Sequence, residues 1–417
     1  MGEQAAVNPR VSSAAGASSA LRPLRLGIDV PLVLSVMFLL AFGLLMVYSA
    51  SWQPSMLAEK PVGYFFLNQL KWVPFGIAAA VFFTYIDYRR WRKLIVVMMI
   101  VMFILLLAVV IFGETRFNSR RTFFNGSIQP SELAKLAVII YLAFWLHAKR
   151  EMLNNVHFGL LPMIAILGGT AGLIMLQPDL SATLTILVLG GLLFYLAGVD
   201  IRQITLILLL VILMGVLFLL VSETGRFRLE QYIIALRDPV NASYHIKRSI
   251  ESIVNGGFFG VGIGRGSSKF GLPVSHTDSI YAVVAEETGL LGAGAVAMVY
   301  MVFMWRGLSI ASRAIDLQGR LLAAGLTLWI ALEALLNMGV MVSLFPFAGN
   351  ALPLMSAGGS SLTMTMAAVG LILSVARVTN KQKFEKEGRT FGAVVNLRRG
   401  NRGRSVSRSH RSSGSRE

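Results

Sequence analysis

The amino-acid sequence predicts an all-α polytopic membrane protein of ten transmembrane helices, on three observations. Charged residues make up only 14% of the 417, against about 25% in a soluble domain. Apolar residues reach 55%, with a mean hydropathy of +0.68. Several long runs contain no Asp, Glu, Lys or Arg: Val30 to Ala58, Leu94 to Gly113, Leu180 to Val199 and Gln203 to Ser222. Each reaches the roughly 20 residues needed to cross a bilayer. Backbone polar groups in lipid must bond within their own segment, so these runs are helices. A soluble fold could bury one such helix, not a series of them.

In chain order, residues 1–26 are Ala/Ser-rich and polar and lack the apolar core of a cleaved signal peptide. They are expected to form a disordered cytoplasmic segment, and the first membrane helix would insert the chain. The predicted spans are 27–49, 70–88, 94–113, 131–147, 158–176, 180–199, 203–222, 279–305, 319–340 and 359–377. They form one membrane domain over 27–377, with a large extracytoplasmic loop, 223–278, between the seventh and eighth. An even number of spans puts both termini on one side. That side carries Arg89, Arg90, Arg92 and Lys93, then Lys149 and Arg150, Arg202, Arg306, Arg313 and Arg320. By the positive-inside rule it is the cytoplasm. The long loop has seven basic residues of its own, but long segments cross largely regardless of charge.

The net charge of +17 follows mostly from this orientation and does not call for nucleic acid. From Arg377 to Glu417 there are twelve Lys/Arg against three Glu, about half the net charge. Residues 378–417 are expected to be a disordered basic tail. It would lie on anionic lipid or dock a cytoplasmic partner. With no cysteine in the chain, disulfides and thiolate chemistry are excluded.

Polar residues kept at one membrane face are informative, because lipid makes them costly. Four clusters fall at the outer ends of the spans: Asn118 to Lys135, Gln177-Pro178-Asp179, the 223–278 loop, and Asn337 to Ser361. One outward-facing site assembled from several span ends is the economical reading. Pro130-Ser131-Glu132 is a good helix start. Glu132 and Lys135, three apart, can pair on one face, either orienting the helix or supporting a site. Asp179 heads the sixth span as a cap or as a functional carboxylate.

The long loop holds Arg226, Arg228, Arg237, Lys247, Arg248, Arg265 and Lys269, a basic field suited to a phosphate or pyrophosphate. Gly256-Gly257-Phe258-Phe259-Gly260-Val261-Gly262-Ile263-Gly264 follows no strand, so its glycines serve tight turns and close approach rather than a nucleotide. Asp278 closes the loop at the mouth of the eighth span. It is an N-cap, a catalytic carboxylate or an ion ligand. His276 is a candidate for proton handling, or makes only a surface hydrogen bond. Glu286 and Glu287, two to three turns deeper, must face protein or a polar cavity.

In order along about residues 27 to 380, the chain resembles the SEDS family of shape, elongation, division and sporulation proteins. The resemblance is carried by Met46-Val47-Tyr48-Ser49-Ala50-Ser51, Gln129-Pro130-Ser131-Glu132-Leu133-Ala134-Lys135 and Gln177-Pro178-Asp179-Leu180. It continues through Gly256-Gly257-Phe258-Phe259-Gly260, Leu272-Pro273, His276-Thr277-Asp278, Glu286-Glu287, Leu352-Pro353, Ser356 and Gly358-Gly359-Ser360-Ser361. The chain departs from the family pattern at Thr122, Ser181, His245 and Ala357.

The resemblance implies a ten-span SEDS-like fold and a peptidoglycan glycosyltransferase that joins lipid II units into glycan strands. It implies a class B penicillin-binding transpeptidase as partner, among other division membrane proteins. The first helix's ending and the extended termini favour the division member, at the septum, over the elongation member. The family's essential loop aspartate maps onto Asp278 and its membrane ion pair onto Glu132 and Lys135. For an inverting displacement, Asp278 would be the general base. Arg226, Arg237, Lys247, Arg248 and Lys269 would supply charge for the pyrophosphate, with Mg²⁺ or another divalent cation as an added source. Gln129, Asp179, His276 and Ser360 are candidates for support of the outer site. No organic cofactor is implied. A lipid II flippase, for which the intramembrane Glu333 speaks, and a non-catalytic scaffold are the rival readings.

Overall fold

The computed structural model describes residues 27–116, 119–123, 127–221, 223–237, 243–272, 275–347 and 349–400. Its helices are α1 (Val30–Ala50), α2 (Trp52–Leu57), α3 (Tyr64–Tyr85), α4 (Ile95–Phe112), α5 (Pro130–Ala148), α6 (Leu161–Met175) and α7 (Leu180–Leu196). They continue with α8 (Ile201–Val221), α9 (Glu223–Arg237), α10 (Tyr244–Gly256), α11 (Ile280–Arg313), α12 (Leu317–Met341) and α13 (Gly359–Gly400). Each of the ten predicted segments holds a helix. Among the described residues, eight helices are long and apolar enough to cross a membrane, and two more apolar stretches, Leu180–Leu196 and Ile201–Leu213, are shorter. The chain is a multi-pass α-helical membrane protein.

Burial separates centre from rim. α5, α12 and the apolar part of α13 are about 70% buried, whereas α3 and α4 are mostly lipid-facing. The central helices are less apolar than α4, because protein rather than lipid surrounds them. Small residues bring neighbours close, as expected where van der Waals packing drives association. A Cβ on Gly370 of α13 would stand 2.4 Å from the Ala80 carbonyl oxygen of α3. On one side of the bundle, Arg306 near the end of α11 forks onto Asp29 at the head of α1, at 3.1 and 2.5 Å. Arg89 and Tyr88 close on Asp316 at the head of α12 at 2.7 and 2.8 Å. The far ends of α1 and α12 therefore share the opposite side.

Four features differ from the sequence expectation. The second span runs from Tyr64 to Tyr85 rather than from 70 to 88. Two strands, β1 (Glu114–Arg116) and β2 (Ser119–Thr122), form an antiparallel hairpin after α4. α13 runs on to Gly400, past the expected end at 377. Helix formers are frequent from Lys381 to Leu397, with Gly388 and Gly392 against them. Residues 1–26 and 401–417 lie outside the described residues.

The fourth difference concerns the eighth span. At 34 residues, α11 would be about 51 Å long, well beyond a hydrocarbon core of about 30 Å. It breaks at Gly289, where φ is 68° and ψ is −172°. Before the break, Ile280, Ala282, Val283, Val284, Glu286 and Glu287 are all buried. After it, Leu290, Leu291, Met298, Met301 and Trp305 are exposed. Asp278, just ahead of α11, is bonded to Asn337 near the end of α12, and Glu287 to Ser49 near the end of α1. Both ends of this half-helix thus lie at the same side of the bundle. The span proper begins after Gly289, so Glu286 and Glu287 are not two turns deep in lipid.

The break exposes backbone groups, and the glycine-rich loop satisfies them. Leu290 and Leu291 N–H donate to the carbonyls of Gly257 and Phe258, at 2.9 and 3.2 Å. The carbonyls of Glu286 and Glu287 accept from Val261 and Gly262 N–H, both at 3.0 Å. A Cβ on Gly289 would sit 2.4 Å from the Gly260 nitrogen, in a conformation open essentially to glycine alone. Gly289→Ala is expected to lower the melting temperature in detergent steeply, by several kcal/mol of stability. A melting curve superimposable on wild type would contradict this account of the break.

Candidate active site at one end of the bundle

Five consecutive residues ahead of and opening α11 are tied to four distant parts of the chain. Ser275 Oγ donates to the Ala50 carbonyl at 3.1 Å. The His276 carbonyl accepts from Ala357 N–H at 2.9 Å, and the Thr277 carbonyl from Ser356 Oγ at 2.7 Å. Asn337 Nδ2 donates to the Asp278 carbonyl at 2.8 Å and to that of Asn350 at 2.6 Å. Ser279 Oγ lies 2.8 Å from His245 Nε2. Asp278 is therefore fixed through its main chain while the residue stays half-buried. The N-cap position belongs to Ser279, so Asp278 does not hold the capping role its sequence position allowed. His276 is buried rather than on the surface, and its ring lies 4.3 Å from that of Phe65.

Beneath this strap, one turn along α12 from Asn337, lies a buried triad. Lys135 Nζ is 2.6 Å from Glu132 Oε1 and also bonds Glu333, with the Trp329 ring 5.5 Å away. The sequence identified the Glu132–Lys135 pair but not that Glu333 completes it. Beside it, Asp179 is both cap and cluster centre. It accepts from Ala182 N–H at 3.2 Å, Gln129 Nε2 at 2.9 Å and Ser131 Oγ at 3.1 Å. Gln129 N–H donates to Ser360 Oγ at 3.0 Å, joining the heads of α5, α7 and α13.

The predicted pyrophosphate cations do not form one group. Lys269 is buried, and its ammonium donates to Glu287 Oε1 at 3.0 Å, Ser49 Oγ at 3.0 Å and the Gly264 carbonyl at 2.9 Å. An ammonium has three donors, so all are spent. Lys269 clamps the glycine-rich loop to α1 and α11 and is withdrawn as a pyrophosphate ligand. Glu286 completes the clamp by accepting from Ser267 and Ser268 N–H, both at 3.0 Å. Arg226, Arg237 and Lys247 are exposed, and Arg248 pairs with Glu251 at 2.9 Å. Arg226 and Arg237 stand three turns apart on α9, about 16 Å along its axis.

The residue the site set omitted is Arg228. Its guanidinium stands 5.6 Å from the Phe347 ring centre. Both residues line an apolar groove of about 500 Å³ between α6, α7 and α8, whose walls include Met163, Leu167, Leu187 and Val211. The groove is built from residues far apart in sequence, so only Arg228's place in the basic field hinted at it. Among the described residues no three His, Cys, Asp or Glu side chains gather as a metal cage.

The structure is that of a helical membrane protein that collects carboxylates, amides and cations at one end, next to an apolar groove. The FtsW/RodA/SpoVE family of cell cycle proteins matches residues 30–381. Proteins named "Probable peptidoglycan glycosyltransferase FtsW" are similar throughout. That of Thioalkalivibrio sulfidiphilus is 35% identical over 379 residues, 88% of this chain and 93% of that protein. That of Geobacter metallireducens is 37% identical over 84% of this chain and 94% of its own. Stage V sporulation protein E of Bacillus subtilis is 36% identical over 84% and 97%. Among solved structures, a chain from a peptidoglycan synthase complex superposes with a TM-score of 0.68 at 26% identity, covering 84% of this chain and 98% of that one. Rod shape determining protein RodA of Thermus thermophilus follows at 0.63 and 26%, covering 85% and 98%. The chain belongs to the FtsW/RodA/SpoVE, or SEDS, family.

Two predictions follow from this geometry. Removing one partner of a buried pair leaves the other charge uncompensated, at about 3–5 kcal/mol. Lys269→Ala should therefore lower thermal stability sharply. A variant that melts like wild type yet binds substrate more weakly would restore Lys269 to the pyrophosphate. The second concerns pH. Burial holds His276 neutral, its pKa pushed down from 6.5 to about 4. The unfolded chain takes up this proton below pH 6.5 and the folded chain only near 4, so stability is full above 6.5 and falls with pH. By pH 5 the loss is on the order of 2 kcal/mol. His276→Gln should shrink the drop in melting temperature between pH 7 and pH 5. An equal drop in both proteins would refute it.

Proposed function

We propose that this protein is a peptidoglycan glycosyltransferase that polymerises lipid II at the outer face of the bacterial cytoplasmic membrane. Asp278 is its general base. The observation that carries this reading is a half-buried carboxylate whose main chain is strapped to several helices, close to a basic field and an apolar groove. Such a group keeps its position while remaining reachable, as a base must. The groove suits the polyprenyl chain of the donor, and Arg228 with the exposed cations of α9 and α10 suits its pyrophosphate.

In the reaction, the acceptor sugar's 4-hydroxyl attacks the donor's anomeric carbon and gives its proton to Asp278. The new glycosidic bond forms as the bond to undecaprenyl pyrophosphate breaks, and the leaving group departs with the electron pair. Inversion at carbon follows from a single displacement without a covalent enzyme intermediate. A divalent cation such as Mg²⁺ fits a site with one carboxylate, being held chiefly by substrate phosphates. It would supply charge neutralisation there. The Glu132–Lys135–Glu333 triad is a support beneath the site, and it answers the transporter reading by giving Glu333 a structural partner.

The rest of the proposal follows the same topology. Ten spans place both termini in the cytoplasm and 223–278 outside. A class B penicillin-binding transpeptidase is the partner, and septal division is the setting. Asp278→Asn should abolish strand formation from labelled lipid II in the purified protein with its transpeptidase, while folding and partner binding persist. Polymer made at the wild-type rate would eliminate Asp278 as the base. Transbilayer movement of lipid II without polymer would favour the flippase.

A further inference from the structure

One side chain, His245 of α10, touches both the apolar groove and the residue that follows Asp278. Its ring centre lies 4.2 Å from that of Phe347, tilted by 49°. Phe347 lines the groove and carries Arg228 beside its ring. On the other side, His245 Nε2 is 2.8 Å from Ser279 Oγ. Ser279 is fully buried, holds the N-cap position of α11, and directly follows Asp278. An imidazole between an aromatic ring and a buried hydroxyl has both its face and its edge committed.

We propose that His245 is a positioning residue of the polymerising site, setting the Asp278 carboxylate through Ser279 and linking that setting to the groove through Phe347. This role rests on the glycosyltransferase reading above. The physical basis is stiffness. Asp278's carbonyl, pinned by Asn337, belongs to the peptide unit it shares with Ser279, so the His245–Ser279 bond anchors the far end of that same unit, while Ser356 holds the Thr277 carbonyl on the other side of the Asp278 Cα. With both flanking peptides held, the direction of the side chain follows. Burial also keeps the imidazole uncharged, with its pKa lowered from 6.5 to about 4. The bond to Ser279 therefore has the same protonation around neutral pH. A chain lodged in the groove presses on Phe347, and the ring contact passes that load to His245.

The test uses the full-length protein purified with its transpeptidase, fed labelled lipid II. His245→Phe keeps an aromatic face for Phe347 but loses the bond to Ser279. Ser279→Ala removes the same bond from the other side by deleting one hydroxyl. Each should lower kcat by about tenfold, the worth of one buried hydrogen bond at a reacting group, with KM changed less than about twofold. His245→Gln, whose amide can still bond Ser279, should recover most of the rate. The double variant His245→Phe with Ser279→Ala should be no slower than either single one, because both remove one interaction.

Several outcomes overturn the proposal: His245→Phe at wild-type kcat, a rise in KM alone, no recovery with Gln, or additive losses in the double variant. If His245→Phe fails to fold, Ser279→Ala alone decides, and wild-type turnover in that variant is fatal. A wild-type complex that makes no polymer at all sinks the glycosyltransferase reading itself. A polymerising wild type beside an unaffected His245→Phe sinks this role only.

Discussion

A helix cannot be broken at a membrane surface unless the backbone groups it releases find partners, and most of the outer layer of this protein exists to meet that demand. The break at Gly289 frees carbonyls from one segment and N–H groups from the next. The loop from Gly256 to Gly264 answers both, and it approaches so closely that a Cβ on Gly256 would stand 2.1 Å from the Ala285 carbonyl oxygen. Buried orphan groups of this kind cost about 1–3 kcal/mol each, so the loop and the broken helix stand or fall together. Lys269, Glu286, Glu287 and Ser49 then lock the loop in place. The largely buried half-helix that results carries Asp278 at its head.

The same layer divides its charged groups by task. Glu132, Asp179, Glu287 and Glu333 are buried and spend carboxylate oxygens on lysines, hydroxyls or backbone N–H groups. Those contacts are structural, and they are dear to lose. The carbonyl of Asp278 is held by Asn337, and the residue stays half-buried. The cations divide likewise. Lys135 and Lys269 are consumed in the interior, whereas Arg226, Arg237 and Lys247 face outward and Arg228 stands at the groove. Position within the layer, more than residue type, separates scaffold from site.

Most of the helices were legible in the sequence because hydropathy is a local property. α4 announces itself through 18 consecutive apolar residues. The Glu132–Lys135 pair was legible for the same reason, since three residues along one helix suffice to bring them together. Features that depend on distant partners were not. Nothing near Gly289 distinguishes it from other glycines until the 256–264 loop packs on it. Lys269 looked like its basic neighbours because its acceptors come from α1, α11 and its own loop. Glu333 resembled a stray intramembrane acid until α5 was laid against α12. Asp278 was found from its place at the mouth of a span, but what holds it comes from four separate segments.

The Lys135–Glu333 contact joins residues 198 positions apart, and a chain is made from one end. At about 5–20 residues per second, some 10–40 s of translation separate the two. Through that interval α5 resides in the membrane with its lysine answered by Glu132 alone. Biogenesis of the bundle thus has a built-in waiting period. The helix at its very centre reaches its final electrostatic state only after α12 has been synthesised and has come alongside.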